Sequence, residues 1–290
     1  MEQYSIHDLD KLSGIKAHTI RVWERRFKIV TPYRTGTNRR RYGDDELRRI
    51  INIAILKRNG FKISEIAKFS TSEIEEKVSF LSKDIFHPDT QIDSLVVAMV
   101  EYNEKAVNDV LIRSMMNRGM EETMAEIVLP FLKRIGIMWQ TGTADVGSEH
   151  FITNIFRQKL ISAIDTLSPV LKPKRKKILL FLPENELHEI GLLFFNYIIK
   201  KAGHESLYLG QSTPLFALVD VCNKWKPDIL VTGLMSGYPA LRSEEYLTTL
   251  LKSFPKQKIL VAGEFAKEAT IRKDKRLFPL QTPEDLKSHL

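Results

Sequence analysis

Cysteine is nearly absent. Cys222 stands alone among 290 residues, so no internal disulfide can form, and the composition fits a reducing compartment, most simply the cytoplasm. Long hydrophobic runs are missing too. The longest, Ile190 to Ile199, is interrupted by Asn196 and is too short to cross a bilayer. The N-terminus lacks a signal-peptide pattern, so no membrane partner is expected. Residues 71–90 hold a short acidic helix and then His87-Pro88, without a sustained heptad; a long coiled coil is excluded there, and self-association must come from elsewhere. Gly233 to Gly237 contains two glycines without phosphate-loop spacing, which gives nucleotide triphosphates no support.

Charge of both signs is present, but unevenly placed. Residues 1–70 hold 16 Lys/Arg against 8 Asp/Glu, while the other 220 hold 28 of each, so the whole net charge of +8 lies in one terminal module. Such an asymmetry is a footprint for an anionic polymer, although a membrane surface would also satisfy it. The length suits two or three domains.

Ser5 is placed to cap a short helix, Ile6 to Ser13, with Asp8 in capping-box position and Gly14 as breaker. A second helix runs from about Ala17 to Phe27. Ile20, Trp23 and Phe27 share one face, leaving Lys16, His18, Thr19, Arg21 and Arg25 outside. Two short helices joined by a glycine turn make a helix-turn-helix, whose second helix presents polar groups to base edges. Gly36 and Asn38 suit a tight turn between short strands, giving a basic wing able to grip phosphates. A third helix starts at Asp44 to Glu46 and continues through Leu56; Gly60 to Ile66 gives another turn and helix start. The segments Thr19 to Glu24, Asn38 to Tyr42 and Leu56 to Phe61 resemble the DNA-binding domain of the MerR family of transcription regulators, over roughly residues 3 to 70. The resemblance implies a winged helix-turn-helix domain over 1–80 that binds double-stranded operator DNA in pairs. It implies His18, Thr19, Arg21, Arg25, Arg39, Arg40, Arg41 and Tyr42 as the DNA-contacting residues.

Residues 89–167 hold four amphipathic segments, Gln91–Tyr102, Glu104–Asn117, Glu121–Trp139 and Val146–Leu167, joined by short polar connections. That pattern predicts a four-helix bundle. Its expected faces are Leu95, Met99 and Tyr102; Val107, Leu111 and Met115; Ile127, Phe131, Ile135 and Trp139; and Ile152, Ile155, Leu160 and Ile164. Pro130 should kink the third helix. Trp139 ends one helix, and Glu149-His150 opens the next, so the three can meet across the loop.

A proline- and lysine-rich linker, 168–177, leads into alternating strands (178–182, 205–209, 229–233, 258–262, 277–280) and helices (190–201, 214–225, 244–252, 265–270, and one from Thr282). The alternation predicts a doubly wound parallel sheet over 178–290, of flavodoxin-like (Rossmann-type) order, making the whole chain multidomain α and α/β. Glu186-Leu-His188-Glu-Ile-Gly191 follows the first strand, at the carboxyl end where ligands of such sheets lie. Two residues apart in an extended loop, Glu186 and His188 can point the same way. A carboxylate can hold one imidazole nitrogen and leave the other for a metal. A solvated polar loop is the plain alternative.

This α/β portion resembles cobalamin-binding domains, whose pattern is Asp/Glu-x-His-x-x-Gly, then Ser-x-Leu, then Gly-Gly. Glu186-x-His188-x-x-Gly191 is complete, while Thr232-Gly233-Leu234 carries Thr for Ser and Ala262-Gly263 carries Ala for Gly. The Trp-x9-Glu-His element, between a MerR-like head and this loop, looks like the CarH/LitR group of cobalamin-dependent, light-responsive repressors. The resemblance implies adenosylcobalamin as cofactor, His188 as lower axial cobalt ligand and Glu186 as its partner. It implies Thr232, Leu234, Ala262 and Gly263 along the slot for the nucleotide tail. Trp139, Glu149 and His150 fall around the upper adenosyl group, in a bundle that serves as lid. In the photosensing relatives a His follows the Trp; here it is Gln140, a poor cobalt ligand. The implied function is a non-enzymatic repressor, a homo-oligomer (dimer or tetramer) controlled by cobalamin. Two other readings stand beside it: a cofactor-independent repressor using a degenerate domain for oligomerisation or protein binding, and a cobalamin-dependent methyltransferase or mutase subunit. The last needs a substrate barrel of roughly 250 residues, for which the basic N-terminal module leaves no room.

Overall fold

The computed structural model describes residues 4–34, 39–81, 87–139, 146–168, 171–234, 240–263 and 274–290. They form two compact units, Met1–Ile155 and Phe156–Leu290.

In the first unit, α1 (Ile6–Ser13) begins on the predicted capping box. Asp8 N–H donates to the Ser5 hydroxyl, Ser5 N–H donates to the Asp8 carboxylate, and Gly14 ends the helix in left-handed backbone (φ 72). α2 (Ala17–Phe27) has no cap of its own; Asp10 of α1 accepts from Ala17 N–H at 2.8 Å, which ties the second helix to the first. β1 (Tyr33–Arg34) and β2 (Arg40–Arg41) pair antiparallel as the predicted wing; the turn at Gly36 and Asn38 lies outside the described residues. α3 (Asp44–Arg58) is the floor of the unit. Its Leu47, Ile50, Ile51, Ile53, Ile55 and Leu56 are fully buried, because α1, α5 (Thr71–Leu81) and α6 (Pro88–Val100) all pack on it. The short α4 (Ile63–Ile66) follows the Gly60 turn.

α6 packs on α7 (Glu104–Thr123), which bends at Gly119 (φ 81, ψ 171), and a π-helical turn, Met124–Val128, then leads into α8 (Leu129–Trp139). The kink predicted at Pro130 therefore takes the form of that turn. Proline lacks the N–H and its ring crowds the carbonyl four residues back. One residue ahead of Pro130, Leu129 N–H reaches back five residues to Met124 C=O, the wider ladder of a π turn. Asp93 of α6, with no accessible surface, draws in Arg58 of α3 and Arg134 of α8, the latter at 2.7 Å.

α9 (Val146–Asp165) follows. The predicted interior faces are buried at Leu95, Met99, Val107, Leu111, Ile127, Phe131, Ile135, Ile152, Ile155 and Leu160, and half-buried at Met115 and Ile164. Tyr102 departs from the expectation. It is 52% exposed, in left-handed backbone just past the end of α6, where its ring leans on Phe151 at 5.5 Å.

The second unit holds a parallel sheet of β3 (Lys177–Pro183), β4 (Glu205–Thr213), β5 (Ile229–Gly233), β6 (Lys258–Ala262) and β7 (Leu277–Leu280), in the order β4-β3-β5-β6-β7. That is the predicted flavodoxin-like order. The helices are α10 (Ile190–Lys201), α11 (Leu215–Trp225), α12 (Ala240–Ser253) and α13 (Pro283–His289); the helix predicted at 265–270 lies outside the described residues. Leu179, Phe181, Leu230, Ile259 and Val261 form the core on one face of the sheet, joined by Leu218, Leu247 and Leu250 from the helices. β4 runs four residues beyond its predicted end. Register shifts beside Phe181 and positive φ at Gly210 and Ser212 bring its end alongside the loop after β3. Among the described residues, no helix is long and apolar enough to cross a membrane.

Candidate functional site

On α2, His18, Arg21 and Arg25 are all exposed and fall three and four residues apart, hence on one stripe. Thr19 beside them is half-buried, with its hydroxyl 3.2 Å from the His18 ring. Arg21 and Arg25 form no ion pair among the described residues, so their charge is available to phosphate. In the wing, Arg39 is exposed and Arg40 and Arg41 are half-buried.

Tyr42 is a correction. It has no accessible surface, so it cannot touch a duplex directly. Its backbone pairs with Tyr4, which draws the side chain inward, and its hydroxyl donates to Glu24 Oε2 at 3.2 Å. Arg40 Nε donates to the other oxygen of the same carboxylate at 3.1 Å. Glu24, which closes the Thr19 to Glu24 segment but is given no role there, thus fastens the wing to the helix it flanks. Tyr42 and Arg40 hold this geometry together, while Arg39 is exposed.

Burial, and then Glu24, push the Tyr42 hydroxyl up to about 12 from an ordinary value of 10.0. The folded state therefore favours the neutral phenol. Its stabilisation is complete below pH 10.0 and is lost as pH rises through about 12. Tyr42→Phe should cost about 1 kcal/mol at neutral pH through the lost hydrogen bond, and should flatten that alkaline limb. Urea denaturation across the range measures both. The phosphate reading of the arginines has its own check: Arg25→Ala should weaken operator binding for every sequence alike, and lower the slope of log K against log salt by about 1.

The second constellation sits at the carboxyl end of β3. Glu186 and His188 do point together: His188 Nδ1 lies 2.6 Å from Glu186 Oε1, and that oxygen also accepts from His188 N–H at 3.0 Å. The carboxylate is 4% exposed and the imidazole 63% exposed. A buried acceptor on Nδ1 fixes the tautomer with its proton there, so Nε2, across the ring, carries the lone pair on the exposed side. The loop is held from β4: Ser212 N–H donates to Glu186 C=O at 3.2 Å, the Ser212 hydroxyl accepts from Asn185 N–H at 3.1 Å, and Gln211 Nε2 donates to Leu187 C=O at 2.6 Å. Glu189, next in sequence and buried, accepts from Arg157 Nε at 2.5 Å and from the Tyr208 hydroxyl at 2.6 Å. Of these supports, Arg157, Tyr208, Gln211 and Ser212 carry no motif, and each lies more than a dozen residues from the pair.

Gly191 opens α10, and a β-carbon added there would meet nothing within 4 Å. At the ends of β5 and β6, Thr232 is fully buried, and its hydroxyl has no hydrogen-bond partner among the described residues. Leu234 is buried in the apolar core rather than along a slot; its N–H donates to Ala262 C=O at 2.9 Å. Ala262 is buried beside it. Gly263 (φ +106) approaches so closely that an added β-carbon would fall 2.0 Å from Leu234 C=O. On the other group, Glu149 is half-buried and His150 exposed in the first turns of α9, while the Trp139 side chain and Gln140 lie outside the described residues.

These residues fit the group that the resemblance implies. An exposed imidazole on a buried carboxylate is a donor set for a transition metal. A buried hydroxyl without a partner costs about 1–3 kcal/mol, which a polar ligand group would offset. The open space at Gly191 admits a close approach to the backbone, whereas at Gly263 the close approach is that of Leu234 itself.

Residues 4–73 match the family model for the MerR HTH family regulatory protein, and residues 91–162 match that for a B12 binding domain. The chain is 29% identical over 259 residues to the HTH-type transcriptional repressor CarH of Myxococcus xanthus, covering 87% of this chain and 86% of that protein. It is 28% identical over 268 residues to the HTH-type transcriptional repressor CarA of the same organism, covering 91% and 87%. Among solved structures, the monomethylamine corrinoid protein of Methanosarcina barkeri shares the fold at 15% identity, with a TM-score of 0.54, covering 70% of this chain and 99% of that one.

Proposed function

We infer that this chain, homologous to the CarH and CarA repressors and carrying a MerR-type helix-turn-helix and a B12-binding domain, is a DNA-binding transcriptional repressor controlled by cobalamin. The observation that carries the reading is the Glu186–His188 pair, a buried carboxylate aiming an exposed imidazole from the carboxyl end of β3.

Cobalamin, when bound, would supply a cobalt centre and, in its adenosyl form, light-sensitive organometallic chemistry. His188 Nε2 would bind the metal. Glu186, holding the proton on Nδ1, orients the ring and raises its basicity. The Thr232 hydroxyl and the Gly263 backbone would receive the nucleotide tail. Trp139, Glu149 and His150 are proposed as further cofactor contacts. Arg21, Arg25, Arg39, Arg40 and Arg41 would hold the operator. Control requires the cofactor to bind one arrangement of the chain better than another; a difference of about 1–3 kcal/mol changes affinity roughly 5- to 150-fold. The adenosyl form, the light response and an oligomeric dark state are the finer parts of the proposal, and no catalytic turnover belongs to it.

The test is dark reconstitution with adenosylcobalamin, desalting, and an operator gel shift before and after illumination. The protein should emerge coloured, His188→Ala should emerge colourless, and operator affinity should follow the cofactor. A corrinoid that washes off the native chain ends the reading, and operator binding that then persists identifies a cofactor-independent repressor. Operator affinity indifferent to a retained corrinoid ends the control it assigns.

A further inference from the structure

Within the second unit, a cavity of about 650 Å3 lies beside the edge strand β4, bounded by α10 and the C-terminal part of α9. Its wall is apolar along Ile161, Ile164, Leu167, Leu171 and Trp225. One end carries Glu189, whose carboxylate already accepts from Arg157 and Tyr208. The other end carries Lys200 and His204.

His204 is 3% exposed, and its ring has an unresolved hydrogen-bonding demand. Nδ1 receives the backbone N–H of Lys176 at 3.0 Å, so Nδ1 must be the unprotonated nitrogen and Nε2 must carry the proton. Nε2 then faces Lys172 Nζ at 3.1 Å. An ammonium has three donors and no acceptor. Two donors are aimed at each other, and among the described residues neither is given an acceptor by the other. The opposite tautomer merely transfers the conflict to the Lys176 amide, which cannot give up its proton. Burial, and then Lys172 and Lys176, lower the affinity of His204 for a second proton, in keeping with a neutral ring. Facing donors of this kind are reconciled by an acceptor placed between them, and a charged acceptor gains most.

We propose that this cavity is a second ligand site, separate from the Glu186–His188 loop, for a small amphipathic anion. Its carboxylate or phosphate head would sit on His204 Nε2–H, Lys172 and Lys200, and its apolar body would lie along Ile164, Leu167, Leu171 and Trp225. Of the acids along the wall, Glu189 is paired with Arg157 and Glu205 with Arg175, and Asp165 lies beside the apolar stretch, so Lys172 and Lys200 set the orientation of the head group.

Calorimetric titration of the full-length protein with dodecanoate and dodecyl phosphate tests the proposal, with dodecanol and inorganic phosphate as controls. At least one of the two anions should bind one per chain, about tenfold or more tighter than either control, since a charge-assisted head contact and an apolar contact are both needed. Which head group binds tighter distinguishes a carboxylate from a phosphate ligand. Binding should move the His204 Nε2 resonance in imidazole-labelled protein. The double variant Lys172→Ala and Lys200→Ala alters side chains outside the core and should weaken binding about tenfold; Leu171→Asp, also at an exposed position, should weaken it independently. Dodecanol binding as tightly as the anions, phosphate binding as tightly as both, or an unmoved His204 resonance would each overturn the proposal. In that last case a bridging water separates the two donors.

Discussion

Asp93→Ala is expected to destabilise the first unit by about 3–5 kcal/mol, the usual cost of removing one partner from a buried ion group. Asp93 has no accessible surface and sits between two guanidinium groups, Arg58 from α3 and Arg134 from α8. Burial already holds Arg134 down to about 10, so its charge leans on nearby carboxylates. Without Asp93, two cations share a partly dry space and repel. Asp93→Asn, which keeps the shape and one acceptor, should lose less. Guanidinium denaturation in a Trp225→Phe background leaves Trp23 and Trp139 to report on this unit alone. A loss below about 1 kcal/mol, the range of surface pairs, would show that the triad is solvated. Arg58 lies in the stretch matched by the MerR family, and Asp93 and Arg134 lie in the stretch matched by the B12-binding family, so one carboxylate ties the two stretches together.

Much of this was legible in the chain because periodicity and punctuation are local. The α1 capping box, the Gly14 stop and the five alternating strands depend on neighbours in sequence, and they stand where the pattern puts them. The Glu186–His188 pair was legible for the same reason: residues two apart in an extended loop face one way. What failed was non-local. Tyr42 reads as a contact because arginines precede it, but its fate is decided by Tyr4, thirty-eight residues earlier, whose backbone pairs with it. Tyr102 carries helical spacing, yet α6 ends before it. The residues that steady the His188 loop, Gln211 and Ser212, come from an extension of β4 with no hydrophobic alternation to announce it. Leu234 was assigned to a slot by motif position, whereas packing places its side chain in the core and leaves only its backbone beside Gly263.

Two glycines of the cobalamin-type motifs should respond to alanine in opposite senses. Gly191 lies in the first turn of α10, and nothing stands within 4 Å of where its β-carbon would be. Alanine is the better helix former by up to about 1 kcal/mol, so Gly191→Ala should leave the free protein as stable or slightly more so. If a corrin ring lies over that turn, the same methyl group intrudes on it, and cobalamin retention should fall about tenfold or more, as for an overpacked contact of about 1–3 kcal/mol. At Gly263 the protein supplies its own obstruction. The added carbon falls 2.0 Å from Leu234 C=O in backbone at φ +106, so the ends of β5 and β6 must part. Left-handed strain of about 1–2 kcal/mol adds to about 1–3 kcal/mol of overlap, and Gly263→Ala should lose stability whether or not cofactor is present. Thermal denaturation of cofactor-free protein and cofactor retention on a desalting column, measured for both variants, separate the two cases. Stability gained with binding lost at 191 places the ligand over the His188 loop; binding unchanged there would mean that the open space above Gly191 belongs to solvent, and that the glycine answers to neither the fold nor the cofactor.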